Sequence, residues 1–563
     1  METDPNTTVQ PQFNDSDTRE KPINGRVLKT LVEAGLTWLR TNQQLVNSLN
    51  VFPVPDGDTG TNMVLTMQSA YDEIANSPER NFGKMAHATA HGALMGARGN
   101  SGVILSQLWR GFARAVDNQE TLDASSLIRA LISARDTAYK GVVRPVEGTI
   151  LTVAKDAASA AEQSLAHTND LTTLLENVVK AADISVQHTP ELLPVLKEAG
   201  VVDSGGKGLF FILDGMLRHA RRQPLDIALP AVQSLGAMHL EQTLVAIEPG
   251  QDFEVVVDFR PYAPVEIQDF YQKLETMGTS IQVGEGDGIY RMHIHVPTDK
   301  LYEPIDYTRS LGRVTKVAIE NLIDQMEQIE TAHGKGNLNL GPVTPNQIAV
   351  VAVSPGAGIA RIFASLGVAA IVEGGQTMNP STQEIINAFE NLPTEKVIIL
   401  PNNKNIILAA QAAANLTVKK IAVVPSRSIP QGLAAMLRLV PEGEFESVVE
   451  DMVAAIEEVE TGEITIATRS VEIDGVTTQE GQVIALHNGK LVLAAPILEE
   501  ACLGLLEIAH ADHYELITLL YGAQVSKQEA NRIGDLIRRQ YPNHEIEIKD
   551  GGQPHYHFII SIE

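Results

Sequence analysis

From Gly25 to about Pro224 nearly every apolar segment of this 563-residue chain repeats at helical spacing, with no convincing strand between them. In NMVLTMQSAYDEI, the residues Met63, Met67, Ala70, Tyr71 and Ile74 share one face of a helix. RVLKTLVEAGLTWLRTNQQLVNSL, SLIRALISARDTAYKGV, TILTVAKDAASAAEQSL and LTTLLENVVKAADISVQ carry the same period. A run of amphipathic helices with no sheet to cover can bury its apolar stripes only helix against helix. Residues 23–225 are therefore predicted to be an all-α domain.

The period changes near Leu240. QDFEVVVDFRP and GIYRMHIHV read as strands, VEIQDFYQKLETM as a helix, and RVTKVAIENLIDQMEQIE as a second helix. Residues 238–333 thus form a small α+β middle domain. HGKGNLNLGPVTPNQ is a Gly/Asn/Pro-rich linker. Beyond it, IAVVAVS, AAIVEGG, KVIILPN and KKIAVVPS alternate with helical segments. Continuous apolar strands between helices predict a parallel, doubly wound α/β domain over 345–563, with a β-rich stretch and a βαβ-like ending. Residues 1–22 are polar and acidic, and read as a disordered tail without a signal-peptide core. A chain of 563 residues is expected to divide in this way.

The net charge is −27, from 70 acidic and 43 basic residues. Such a field repels phosphate backbones and anionic lipid surfaces, which argues against nucleic-acid binding. No apolar run is long enough for a membrane helix, so no integral membrane association is expected. The single cysteine, Cys502, stands in an apolar helical run and is predicted to be a core residue. These features together predict a cytoplasmic protein.

The segment that carries chemistry is NVFPVPDGDTGTNM, Asn50 to Met63. Pro53 and Pro55 prevent helix, and Gly57 and Gly60 permit tight bends. Asp56 and Asp58 therefore sit on an irregular loop before a helix, where two carboxylates can converge on a hard divalent cation. Thr61 or Asn62 can cap that helix, whose first N–H groups favour phosphate. The same residues also suit an ordinary Pro/Gly/Asp turn leading into a capped helix. A calcium EF-hand fits poorly, because Gly60 and Met67 stand where oxygen ligands are required. GARGNSG (96–102), PVEGT (145–149) and DSGG (203–206) are three further loops between helices, each equally readable as a connecting turn. No G-x-x-x-x-G-K-[ST] is present, since GVVDSGGK has Gly206 where Lys is needed. PGAGIARI carries Arg361 in place of the third Gly of a dinucleotide fingerprint.

In this order the four motifs resemble the helical-barrel ATP-binding domain of the dihydroxyacetone kinase family. The whole arrangement after the tail is similar to the catalytic subunit of bacterial fatty acid kinases. The resemblance implies ATP and Mg2+ as cofactors, with Asp56 and Asp58 as catalytic metal ligands. The family's third Asp is replaced here by Val51, which makes Asn50 the nearest substitute. Phosphate contacts are implied for Thr59, Gly60, Thr61, Asn62, Gly99, Asn100, Ser101 and Gly102, with Thr149 and Asp203 further out. His293 and His295 point to one strand face; with Glu254, where some relatives have Cys, they are candidate zinc (Zn2+) ligands. The alternative is a pair of half-buried strand histidines. The loops GGQTMNPST, LPNNKN and VPSRSIPQG follow predicted strands, where such sheets bind ligands or partners. The C-terminal domain resembles the fatty-acid carriers themselves, with a docking or dimerisation role.

The reading that follows is ATP-dependent phosphorylation of a fatty acid carboxylate presented by a DegV-like fatty-acid-binding carrier protein, giving acyl phosphate, by a homodimeric kinase. Two alternatives are a kinase acting on dihydroxyacetone or another small hydroxylated substrate, and a nucleotide-binding regulatory protein without turnover.

Overall fold

A computed structural model of the protein describes residues 23–50, 57–142, 144–164, 167–225, 233–234, 252–286, 288–321, 338, 340–376, 378–467, 470–473 and 475–563. The expected tail and the second half of the helix expected over 313–330 lie outside these residues.

The first part is helical: α1 (Gly25–Thr41), α2 (Gln43–Ser48), α3 (Thr59–Ala75), α4 (Phe82–Met95), α5 (Gly99–Ala115), α6 (Ala124–Gly141), α7 (Ile150–Ser164), α8 (Leu171–Leu192), α9 (Pro194–Ala199) and α10 (Ser204–Ala220). The long helices pack each on the next, α1 on α3, α3 on α4, and onward through α8 to α10, which returns to α1. Met63, Met67, Ala70 and Ile74 are all buried in the shared core, whereas Tyr71 is only partly buried against it. Trp38, Phe82 and Phe211 are the largest fully buried side chains in that core. Each contributes about 1.5–3 kcal/mol by leaving water. The return of α10 to α1 is fastened by polar atoms too. Trp38 Nε1 donates to Asp214 Oδ2 at 2.8 Å, and the Arg218 guanidinium lies 4.0 Å from the Trp38 ring.

The middle part contains β1 (Gln233–Ser234), β2 (Phe253–Pro261), α11 (Ile267–Glu275), β3 (Thr279–Gly286), β4 (Ile289–Val296), α12 (Glu303–Leu311) and β5 (Gly312–Asn321). Their sheet has the order β1-β3-β4-β2-β5. Two expectations fail here. TSIQVGEG forms β3, a strand absent from the sequence reading. RVTKVAIEN is strand β5, not the start of a helix, and pairs antiparallel with β2 from Phe253↔Asn321 to Pro261↔Gly312. Val314, Thr315, Val317 and Ile319 are β-branched, and a neighbouring strand with free edge groups decides their state over local periodicity.

The last part holds a parallel sheet of order β7-β6-β8-β9, from β6 (Ile348–Ser354), β7 (Ala370–Glu373), β8 (Lys396–Leu400) and β9 (Lys420–Val423). Its helices are α13 (Ala357–Ser365), α14 (Thr382–Glu390), α15 (Ile407–Ala414), α16 (Ile429–Leu437) and α17 (Phe445–Ile456). All of β6 is buried, and its residues alternate between two cores. Ala349, Val351 and Val353 meet α14 and α15, while Ile348, Val350 and Ala352 face α13, α16 and α17. The β-rich remainder is a second, mixed sheet, β14-β13-β10-β17-β15-β16. Its strands are β10 (Glu460–Ile466), β13 (Val483–His487), β14 (Lys490–Ala495), β15 (Leu516–Tyr521), β16 (Glu545–Asp550) and β17 (Phe558–Ile562), with α18 (Leu498–Ile508) and α19 (Lys527–Gln540) alongside. The short β11 (Val471–Ile473) and β12 (Val476–Thr478) form a separate ribbon. Cys502 is fully buried on α18, where burial pushes its thiol pKa up.

Candidate active site

The four loops singled out from the sequence each end at the N-terminus of a helix, and the helix starts touch in series. At the junction of α5 and α3, Gly99 has φ +57° and a Cβ there would lie 2.7 Å from Asn62 Nδ2. Gly102 presses on Thr66, since a Cβ would stand 2.4 Å from its Oγ1. Both positions need glycine, one for its left-handed backbone and one for the close approach. Between α3 and α10, Ser204 Oγ donates to Thr59 Oγ1 at 3.3 Å within the protein interior. Between α10 and α7, Asp203 caps α10 by accepting from Gly206 N–H at 2.6 Å, and it also accepts from the Ile150 N–H that opens α7. Thr59, Asn62, Gly99, Gly102 and Asp203 are thereby brought to one end of the helical domain.

The capping of α3 differs from the expectation. Neither Thr61 nor Asn62 caps it. Asn47 of α2 does, accepting from Gly60 N–H at 2.7 Å and Thr61 N–H at 3.2 Å. Thr61 Oγ1 accepts in turn from Asn47 Nδ2 at 3.1 Å and Gln43 Nε2 at 2.9 Å. The N–H groups of Gly60 and Thr61 are therefore already engaged. The N-cap position itself is Asp58, whose carboxylate makes no cap bond and is only 6% exposed. At α5 the N-cap is Arg98, which offers no side-chain acceptor, so the N–H groups of Gly99, Asn100 and Ser101 are not covered by a cap. Thr149 closes its own turn by donating to Val146 O at 2.7 Å. Asn50 follows α2 and donates its N–H to Asn47 O at 3.1 Å. Asp56 lies outside the described residues.

Asp203 is a titratable group strongly altered at this end. Burial pushes its carboxyl pKa up to about 6, although the Gly206 and Ile150 N–H groups pull the other way. The donor chemistry suits a hard cation and a polyanion side by side. Asp58 supplies a carboxylate oxygen withdrawn from water, and α5 supplies a helix start without a competing cap.

Sequence reasoning missed what lies over this end. Asn379, in the loop before α14, donates through Nδ2 to Asp58 Oδ2 at 2.5 Å. Arg98 donates to Asn379 O at 3.0 Å and pairs with Glu384, and Asn100 Nδ2 donates to Asn405 Oδ1 at 3.2 Å. The two C-terminal loops involved read from the sequence as ligand- or partner-facing. Nothing local in the sequence shows that they face this site.

A second cluster lies in the middle sheet. Glu254 on β2 is in register with His295 on β4, and His293 stands two residues earlier on the same face. Their ligand atoms all lie within 4.8 Å of one another. His293 is 1% exposed, and neither ring nitrogen has a hydrogen-bond partner among the described residues. Glu254 Oε1 is 3.4 Å from His293 Nε2. Burial, with a smaller contribution from His295, pushes the His293 pKa down to about 3, so its imidazole is neutral with a lone pair to offer. Two imidazoles and a carboxylate are a donor set that zinc accepts.

No helix among the described residues is long and apolar enough to cross a membrane. Compared with known proteins, residues 53–218 match the DAK2 domain model. Residues 248–329 and 349–563 match the models for the middle and C-terminal domains of the FakA-like fatty acid kinase proteins. The chain is 37% identical to protein YloV of Bacillus subtilis over 554 residues, covering 96% of this chain and 100% of that protein. An uncharacterized protein of Staphylococcus epidermidis is 36% identical over 550 residues, covering 96% and 99%. Among solved structures, dihydroxyacetone kinase from C. freundii with AMP-PNP and Mg2+ overlaps 39% of this chain and 38% of that one, at TM-score 0.28 and 17% identity. The full-length identity and the three matched segments place the chain in the FakA-like fatty acid kinase family, with a DAK2 domain of dihydroxyacetone kinase type at its helical end.

Proposed function

We propose that the protein transfers the γ-phosphoryl group of ATP to the carboxylate of a fatty acid held by a separate DegV-like binding protein, giving acyl phosphate and ADP. The observation that carries this reading is the serial contact of four helix starts at the end of the helical domain where Asp58 lies, in a chain of the FakA-like family. The ring of helices is read as the family's helical barrel, and the parallel sheet with helices on both faces as doubly wound. Asp58 and Asp56 would hold magnesium, which supplies neutralisation of phosphate charge. The uncapped N–H groups of Gly99, Asn100 and Ser101 bind and orient phosphate oxygens, and Asn62 lies beside them. A fatty acid carboxylate is already ionised near neutral pH, so the chain needs no general base. Charge neutralisation and alignment are what the transfer requires, and the site is built from groups suited to both.

Glu254, His293 and His295 would hold zinc, which supplies a Lewis acid or a structural tie in the middle sheet. Among the described residues β5 is the edge strand of that sheet, with Val317 41% and Ile319 39% exposed, and it is the surface we assign to a homodimer. A cytoplasmic location belongs to the same reading.

The test is incubation of the protein with Mg-ATP, oleate and a DegV-family carrier, trapping acyl phosphate with hydroxylamine. Hydroxamate that requires the carrier is the expected result. Turnover of free dihydroxyacetone instead would move the acceptor to a small hydroxylated substrate. Nucleotide binding without turnover in either arm would leave a regulatory protein.

A further inference from the structure

The C-terminal domain covers the end of the helical domain where the proposed nucleotide site lies. Asn379 is 2% exposed and its amide N–H2 sits on Asp58, itself 6% exposed. A Cβ on Gly99 would be 3.6 Å from Asn379 Nδ2 and 2.7 Å from Asn62 Nδ2, so the amide stands between the starts of α3 and α5. The contact is framed on both sides. Thr382 N–H donates to Ala97 O at 3.2 Å, and Asn100 donates to Asn405. Ala97 and Val103 join the apolar core formed by Ile406, Ala409, Ala410 and Ala413.

Two features make this a seat that is held rather than completed. Asn379 Oδ1 and Thr382 Oγ1 are buried without a hydrogen-bond partner among the described residues, which costs free energy that opening would recover. The donated N–H also occupies a carboxylate lone pair that a cation would use. Metal-nucleotide and Asn379 therefore compete for one position, and an acceptor needs the same face.

We propose that this arrangement is a self-closed form: the C-terminal domain is the resident occupant of the acceptor face, and Met378–Thr382 must withdraw before Mg-nucleotide and an acyl-carrying protein can engage. This rests on the nucleotide reading of the Asp58 end. A ligand that binds only the open form loses affinity in proportion to the open fraction.

Calorimetric titration of the full chain with Mg-AMP-PNP, beside the Asn379→Ala/Asn405→Ala double variant, tests it. The variant should bind about tenfold more tightly, as expected for removing hydrogen bonds that include one to a charged group. Hydrogen exchange in the unaltered chain gives an independent readout that needs no variant. Adding Mg-AMP-PNP should accelerate exchange at the Thr382 amide. Nucleotide binding with equal affinities and an unchanged or slower Thr382 amide overturns the closed form and leaves the nucleotide site standing. No nucleotide binding by either protein overturns both.

Discussion

Asp203 is a carboxylate retained against its own stability, which makes Asp203→Asn an informative perturbation. Its ordinary pKa of 3.8 rises to about 6 in the folded chain because burial disfavours the charged form. With the folded value above the unfolded one, the folded state binds the proton more tightly. Its contribution to stability is full below pH 3.8 and is lost as pH rises through about 6. At neutral pH the ionised form costs up to about 3 kcal/mol, and less to the extent that water reaches the carboxylate. Asparagine is as good an N-cap as aspartate, so its carbonyl can still accept from Gly206 N–H without the buried charge. The helical domain of Asp203→Asn should therefore melt several degrees higher at pH 7, taking about 2–4 °C per kcal/mol. The gain should shrink as pH falls through 6 and vanish near 4. Asp203→Ala, which keeps neither cap nor charge, should gain less than the Asn variant or lose stability outright. Scanning calorimetry from pH 4 to 8 on the full chain reads all three. An Asn variant no more stable than the parent at pH 7, or a gain that ignores pH, would refute the reasoning.

Further outcomes follow from single contacts. Asn47→Ala removes the acceptor for Gly60 and Thr61 N–H, so urea denaturation should show a loss of about 1–2 kcal/mol. Gly102→Ala places a methyl against Thr66 Oγ1, where overpacking by about 1–3 kcal/mol outweighs the helix-propensity gain. Adding Thr66→Ala should restore much of that loss, and a double variant no more stable than Gly102→Ala would exclude the clash as its cause. His293→Ala should abolish stoichiometric zinc measured by elemental analysis after zinc loading. A His293→Ala variant that still holds one zinc per chain would contradict the assignment.

Much of the helical half was legible because helical periodicity and tertiary packing agree there: Met63, Met67, Ala70 and Ile74 bury the face their spacing announces. The alternation in the C-terminal half was equally plain, since a strand buried on both faces, as β6 is, must read as a continuous apolar run. RVTKVAIEN misleads because Val314, Val317 and Ala318 also fit a helical face, and only pairing with β2 settles the state. The loop motifs announced their helix starts correctly. The cap of α3 did not come from the loop itself, because Asn47 is delivered by the packing of α2 on α3. Asn379 meets Asp58 across 321 residues of sequence, a separation over which no local signal exists.

The most direct test of the central claim is carrier-dependent acyl hydroxamate formation by the unaltered chain beside Asp58→Asn, with circular dichroism to verify the helical fold of both. Hydroxamate is expected from the parent, with a fall of at least about a hundredfold in the variant at unchanged helicity, the scale of losing one preorganised electrostatic group. An Asp58→Asn protein as active as the parent would contradict it.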